Sequence, residues 1–202
     1  MAKEIGAAGY FVVDIGNIPS LPAFVEKVIK EAPEIDFLLN NLSIRRLINF
    51  EAGADLNTVS LEISINTTGL VLICGLFIPH LKTKQRASIQ NVPVYRTTKS
   101  FTLSLCEQLC CTNITVVEIS PPRIDSEPRG GHINPDNTKK ENHPPTTSQK
   151  KWIAHLEKGW DEGNDEIGDG WWHMAINTWR KAFGAIHRKI AGQSYWENVD
   201  LS

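Results

Sequence analysis

Ile35-Asp36-Phe37-Leu38-Leu39-Asn40-Asn41 is an apolar run that stops abruptly at two asparagines. A run this short and this apolar reads as a buried strand, with the polar pair marking its exit. Downstream, the pattern changes to a long helical one over residues 56–81, then to a weaker strand over 87–92. A helix over 95–110 and a strong strand, Ile114-Thr115-Val116-Val117-Glu118-Ile119, follow, closed by Pro121-Pro122. Upstream, Leu21, Phe24, Val25, Val28 and Ile29 share one helical face, with Ser20 placed to cap the helix and Pro33 to stop it. Before that helix, Tyr10-Phe11-Val12-Val13-Asp14 reads as a further buried strand. Strands alternating with helices imply parallel strands joined by crossovers, and continuously apolar strands imply a sheet covered on both faces.

The chain has 202 residues, 41% of them apolar and 22% charged, with a net charge of −2. That is ordinary globular composition, and so weak a charge offers no field for nucleic acid or an anionic membrane; neither is expected as a partner. The apolar run at 69–79 is too short to span a bilayer. Residues 1–10 lack the apolar centre of a secretion signal, so the three Asn-x-Ser/Thr sequons at Asn41, Asn66 and Asn113 carry no meaning as glycan sites, and a cytoplasmic location is expected. Four cysteines (Cys74, Cys106, Cys110 and Cys111) show neither a disulfide framework nor zinc-site spacing. They read as reduced, buried or half-buried thiols, Cys106 and Cys110 as core packing, and no metal site is expected. His80 and His173 read as structural. Gly130-Gly131, Pro135 and Pro144-Pro145 mark a linker. The organisation expected is thus a core over 1–129, a flexible linker or loop over 130–150 and a helical tail over 151–202. All six tryptophans fall in the tail, where Trp172, Ile176, Trp179, Phe183, Ile186 and Ile190 form one helical stripe. The tail is expected to pack on the core, to meet a partner subunit or to cover a pocket.

Tyr95-Arg96-Thr97-Thr98-Lys99 carries the chemistry. Positions four apart share a helix face, and an ammonium beside a phenol favours the phenolate. Such a tyrosine exchanges a proton with a carbonyl or an alcohol near neutral pH. On its own the spacing is common by chance. It stands, however, in a fixed order: a strand ending in Asn40-Asn41, a long helix bearing Asn66 in Ile65-Asn66-Thr67-Thr68-Gly69, a strand, the Tyr95/Lys99 helix, and Glu118-Ile119-Ser120-Pro121-Pro122. In this order the chain resembles the short-chain dehydrogenase/reductase family over most of its length.

The resemblance implies an α/β fold, an incomplete Rossmann-like parallel sheet with flanking helices, plus the Trp-rich helical tail. It implies NAD or NADP as cofactor and a small carbonyl or alcohol as substrate, with a homo-oligomer as a possible assembly. Tyr95 would be the general acid/base. Lys99 would hold the nicotinamide ribose and lower the tyrosine pKa, and Asn66 would position a relay water. Asp14, Asn40, Lys99 and Pro122 would line the cofactor. Four departures stand against the family pattern. No Gly-x-x-x-Gly-x-Gly phosphate turn occurs, so the chain reads as starting after the family's first two strand–helix units. The strands at Phe11 and Ile35 should then either pair directly or leave an edge exposed. The strand-end serine segment is missing, and Ser88 lies inside the strand. Leu42-Ser43 replaces the family's Ala-Gly, which could crowd the nicotinamide side. The helix after Lys99 is about one turn short. Alternatives to an active oxidoreductase are therefore a catalytically inactive remnant or interaction scaffold, and a chain shortened by a wrong translation start and missed coding segments.

Overall fold

The computed structural model describes residues 6–44, 51, 53, 55–92, 96–122, 124, 146–169, 174, 178 and 182. The chain divides into two compact units, Met1–Val116 and Val117–Ser202. Four parallel-register strands form one sheet in the order β1 (Phe37–Asn40), β2 (Ala87–Asn91), β3 (Ile114–Ser120) and β4 (Glu166–Gly168). This is the α/β, Rossmann-like class expected from the alternation of elements.

In the first unit, α1 (Leu21–Glu31) buries Leu21, Val25 and Val28, spaced to lie on one face. Ser20 occupies the N-cap position, but its hydroxyl donates to Asn17 O (2.7 Å) and caps no helix N–H. A short 3-10 turn, Ile18–Ser20, leads into the helix and takes up the entry instead. The long helical pattern folds as α2 (Leu56–Ile63), a π-helical segment (Ser64–Gly69) and α3 (Leu70–Leu81). Asp55 caps its start, accepting from Asn57 N and Thr58 N. Together these form a helix of 26 residues, long and apolar enough by length and composition to cross a membrane. It is the helix expected over residues 56–81, and the apolar run at 69–79 lies within it. Leu70, Ile73, Cys74, Phe77 and Leu81 are buried in the core of the unit, with Leu21, Ile89, Leu105, Ile114 and Val116. Leu56, Leu61, Ile63 and Leu72 of this helix are exposed. The helix α4 (Arg96–Leu109) then leads to β3.

The strand expected at residues 10–14 does not form. The segment is not buried on both faces as expected: Tyr10 and Val12 are 77% and 88% exposed, while Phe11 and Val13 pack on the core. Phe11 meets Phe24 edge to face (6.5 Å between ring centroids) and carries the Lys27 ammonium 5.9 Å from its centroid. What the segment lacks is a ladder. A strand is defined by the neighbour that pairs with it, and among the described residues β1 pairs with β2. Among the described residues, the segment at Phe11 and β1 do not pair directly. Phe37 and Leu39 of β1 remain 46% and 45% exposed.

In the second unit, Ser148 caps α5 (Gln149–Asp161) by accepting from Lys151 N (3.3 Å). Gly159 of α5 lies so close to Ile167 of β4 that a Cβ would come within 2.9 Å of its side chain. Trp152 is buried and stacks on His155 (5.7 Å), whose Nε2 lies 3.0 Å from Gly168 O. Strand β4 pairs Ile167 with Ile119 in β3. Met174, Thr178 and Ala182 are helical, but the proposed stripe Trp172, Ile176, Trp179, Phe183, Ile186 and Ile190 lies outside the described residues, as does His173.

Candidate active site

Parallel strands open their C-terminal ends to the same side, and Asn40 and Asn91, the last residues of β1 and β2, stand opposite each other in register. Asn40 Nδ2 donates to Asn91 Oδ1 (2.9 Å) and lies 3.3 Å from Cys74 Sγ on α3. Asn91 Nδ2 donates to Thr102 Oγ1 (3.2 Å), and the Thr102 hydroxyl donates to Thr98 O (2.9 Å). Asn91, Thr98 and Thr102 are fully buried. In a low-dielectric interior an amide must be satisfied or it costs stability; here one amide pair joins two strand ends to α3 and to α4. Burial pushes the Cys74 thiol up to about 12, despite its hydrogen bonds with Asn40 and Asn91. Burial thus favours the neutral thiol, packed against the two amides. Asn91 and Thr102 were not singled out from the sequence. Their signal is the alignment of two strand-terminal asparagines, which becomes visible only once the register is known.

Asn66 is 3% exposed, in the π segment. Its amide donates to Ile44 O (2.7 Å) and accepts from Ile44 N (2.9 Å), a two-pronged clamp on the chain beyond β1. The side chain of Asn66 is therefore committed to backbone. Gly69 closes the same segment, and a Cβ there would fall 2.3 Å from Ile15 Cγ2 and 2.9 Å from Ile15 O. Only glycine lets the 14–17 turn approach so closely. Within that turn Gly16 N donates to the Asp14 carboxylate (2.9 Å), so Asp14 is exposed at its rim and folds back on its own backbone. Between these pieces lies a cleft of about 20 Å³ lined by Ile15, Asn40, Leu42, Ile65, Leu70 and Ile73. That volume suits a single water. Leu42, one of the lining residues, is 54% exposed on irregular chain.

Lys99 is half-buried on the first turn of α4, next to Thr98, whose carbonyl belongs to the strand-end network. Tyr95 lies outside the described residues. Pro122 is half-buried just past β3, in the second unit. Ser88 pairs with Phe37 at the start of β2, three residues and so about 10 Å from the Asn91 end. That separation removes it as a stand-in for a strand-end serine. His80 Nε2 lies 3.0 Å from Ile35 O, a structural contact. Among the described residues no group of three or more His, Cys, Asp or Glu could hold a metal. The structure thus brings Asn40, Asn66 and Lys99 into one unit.

The family model of the short chain dehydrogenases matches residues 1–136 of the 202. The chain belongs to the short-chain dehydrogenase family. It is 33% identical over 130 residues to the uncharacterized oxidoreductase DltE of Bacillus subtilis, covering 56% of this chain and 52% of that protein. It is 24% identical over 131 residues to the NADP-dependent 3-hydroxy acid dehydrogenase of Schizosaccharomyces pombe, covering 57% and 51%. The chain therefore spans about half the length of those two relatives. A short chain dehydrogenase of Burkholderia cenocepacia, solved in complex with NADP, shares its fold at a TM-score of 0.62 and 18% identity, over 89% of this chain and 76% of that one. Membership makes the chain one of an oxidoreductase family.

Proposed function

We propose that the chain is an NAD- or NADP-dependent oxidoreductase that interconverts a small carbonyl and its alcohol. The carrying observation is the buried network Asn40–Asn91–Thr102–Thr98, which ties the ends of β1 and β2 to the helix bearing Lys99. A catalytic group performs only as well as the frame that holds it, and this frame uses fully buried side chains. In this reading Tyr95 exchanges the proton with the substrate oxygen. Lys99, one helical turn on, holds the cofactor ribose and favours the phenolate. Asn66, committed through its side chain to Ile44, positions a relay water through its main chain. Asp14 and Asn40 border the cofactor, which when bound supplies the hydride. Four free thiols suit a cytoplasmic setting, and the outward Leu56, Leu61, Ile63 and Leu72 suit pairing with a second copy.

A second reading, a scaffold of this family without the chemistry, is favoured by the water-sized cleft beside Asn40. One experiment separates the two. NADH and NADPH are titrated into the purified chain while nicotinamide fluorescence is followed, and reduction of a panel of small ketones is then assayed. Saturable binding with turnover that Tyr95→Phe abolishes supports the oxidoreductase. No binding of either nucleotide at millimolar concentration leaves the scaffold.

A further inference from the structure

Three of the four cysteines follow one another at the end of α4, and the structure treats them differently. Cys106 is half-buried, packs against the core, and lies with its Sγ 3.7 Å from Val116 O. Cys110 and Cys111, read from the sequence as buried or half-buried, are both exposed, with their sulfurs 3.6 Å apart. Helix α4 ends at Leu109, so the pair sits on a turn where adjacent side chains are not splayed by helical geometry. That turn is held firmly. Thr112 N and Thr112 Oγ1 both donate to Leu109 O (2.9 and 2.8 Å), and Asn113 Nδ2 donates to Leu81 O (2.9 Å) and Lys84 O (2.7 Å).

We propose that Cys110 and Cys111 form a dithiol capture site for monosubstituted trivalent arsenic. The bite of the pair decides the class of ligand. Two bonds of about 2.3 Å meeting between a right angle and a tetrahedral angle hold their sulfurs about 3.3–3.8 Å apart, and the observed 3.6 Å falls within that span. One thiophilic atom therefore bridges both sulfurs with little movement of the turn. Zinc does not fit, because it asks for four ligands and no third His, Cys, Asp or Glu joins the pair among the described residues. A monosubstituted arsenic(III) centre needs only two sulfurs, since it brings its third substituent with it. In the capture step two S–H bonds break and two As–S bonds form. Both protons leave with the arsenic-bound oxygen as one water, and arsenic stays trivalent, so no oxidant is required. The hydrogen bond with Cys111 raises the pKa of Cys110 above its ordinary value, with Glu107 adding to it. Protonated thiols are slow toward single-thiol alkylation, whereas a ligand that takes up both protons as it binds is not held back in the same way.

The test adds one equivalent of phenylarsine oxide to the full chain, kept reduced, and reads intact mass and a peptide map. The expected result is one phenylarsine per chain on the peptide holding Cys110 and Cys111, released by ethanedithiol and retained against excess mercaptoethanol. Cys110→Ser and Cys111→Ser should each weaken capture by about a hundredfold, because the second bond is then no longer intramolecular. Cys106→Ser should leave capture unchanged. Both exposed variants are expected to melt as the parent does, which separates loss of the site from loss of the fold. The proposal is overturned if the parent takes up no arsenical, if either single variant keeps the adduct, or if the adduct maps to Cys74 or Cys106.

Discussion

The strand ends and the outer edge of the same sheet are built to different standards. At the ends of β1 and β2, Asn40, Asn91 and Thr102 satisfy one another inside the protein, and Asn66 and Gly69 fasten the neighbouring chain to the helix. Along β1, a few residues away, Phe37 and Leu39 are partly exposed, and residues 10–14 belong to no strand. Polar groups at the strand ends are specified one by one, whereas the edge retains only the alternation of a strand. The difference teaches that the frame around a site can be held by side chains from interior elements alone, without a neighbouring strand on its outer side.

The sharpest way to break this contrast is Asn91→Ala. It removes one partner each from Asn40 and Thr102 and leaves a hole, so a stability loss of about 3 kcal/mol is expected in urea unfolding. A loss no greater than that of an edge substitution would end the distinction. Gly69→Ala comes next. Its new methyl group meets Ile15 side chain and backbone, and overpacking of this kind costs about 1–3 kcal/mol. Alanine has no such effect if the 14–17 turn lifts freely, which unchanged thermal melting would reveal.

A third probe is alkaline pH. The folded Cys74 thiol is raised from 9.0 to about 12, so the folded state holds its proton more tightly than the unfolded chain does. That contribution is fully present below the unfolded value and is lost as pH rises through the folded one. Stability should therefore fall by as much as about 1.4 kcal/mol per pH unit between the two values. The slope attributable to this group should vanish in Cys74→Ala, measured by unfolding at a series of pH values. The smallest effect is expected at the edge: Leu39→Lys should change stability by no more than about 0.5 kcal/mol while raising solubility, since a charge on an exposed edge discourages strand pairing between molecules.

Elements whose signal is local were legible in the sequence. The apolar runs at β1 and β3, the helical stripe of α1 and the long pattern over residues 56–81 all carry their own period. Residues 10–14 carry a period too, yet pairing is a relation between segments, and no segment pairs with them. Strand β4 has three residues and a polar start; it is a strand because β3 lies beside it, a fact outside its own composition. At the candidate site, Asn40, Asn66 and Lys99 were singled out by the order of motifs that carries the family resemblance. The partnership of Asn91 with Asn40, 51 positions away in sequence, required the register. Cys110 was read as packing because a helix was expected through it, whereas α4 ends one residue earlier.

The π segment Ser64–Gly69 acts as a phase setter between the two halves of the long helix. Each residue advances an α-helix by about 100°, and the wider i→i+5 closure accommodates one residue more than a regular turn. Deleting a single residue there would let the helix run regularly while rotating α2 by about that angle against α3. Glu62, now 2% exposed, would swing away from the interior, and the exposed Leu56 and Ile63 would turn to a new azimuth. The six residues therefore govern which side of the protein the helix presents to its surroundings, as well as where Asn66 points.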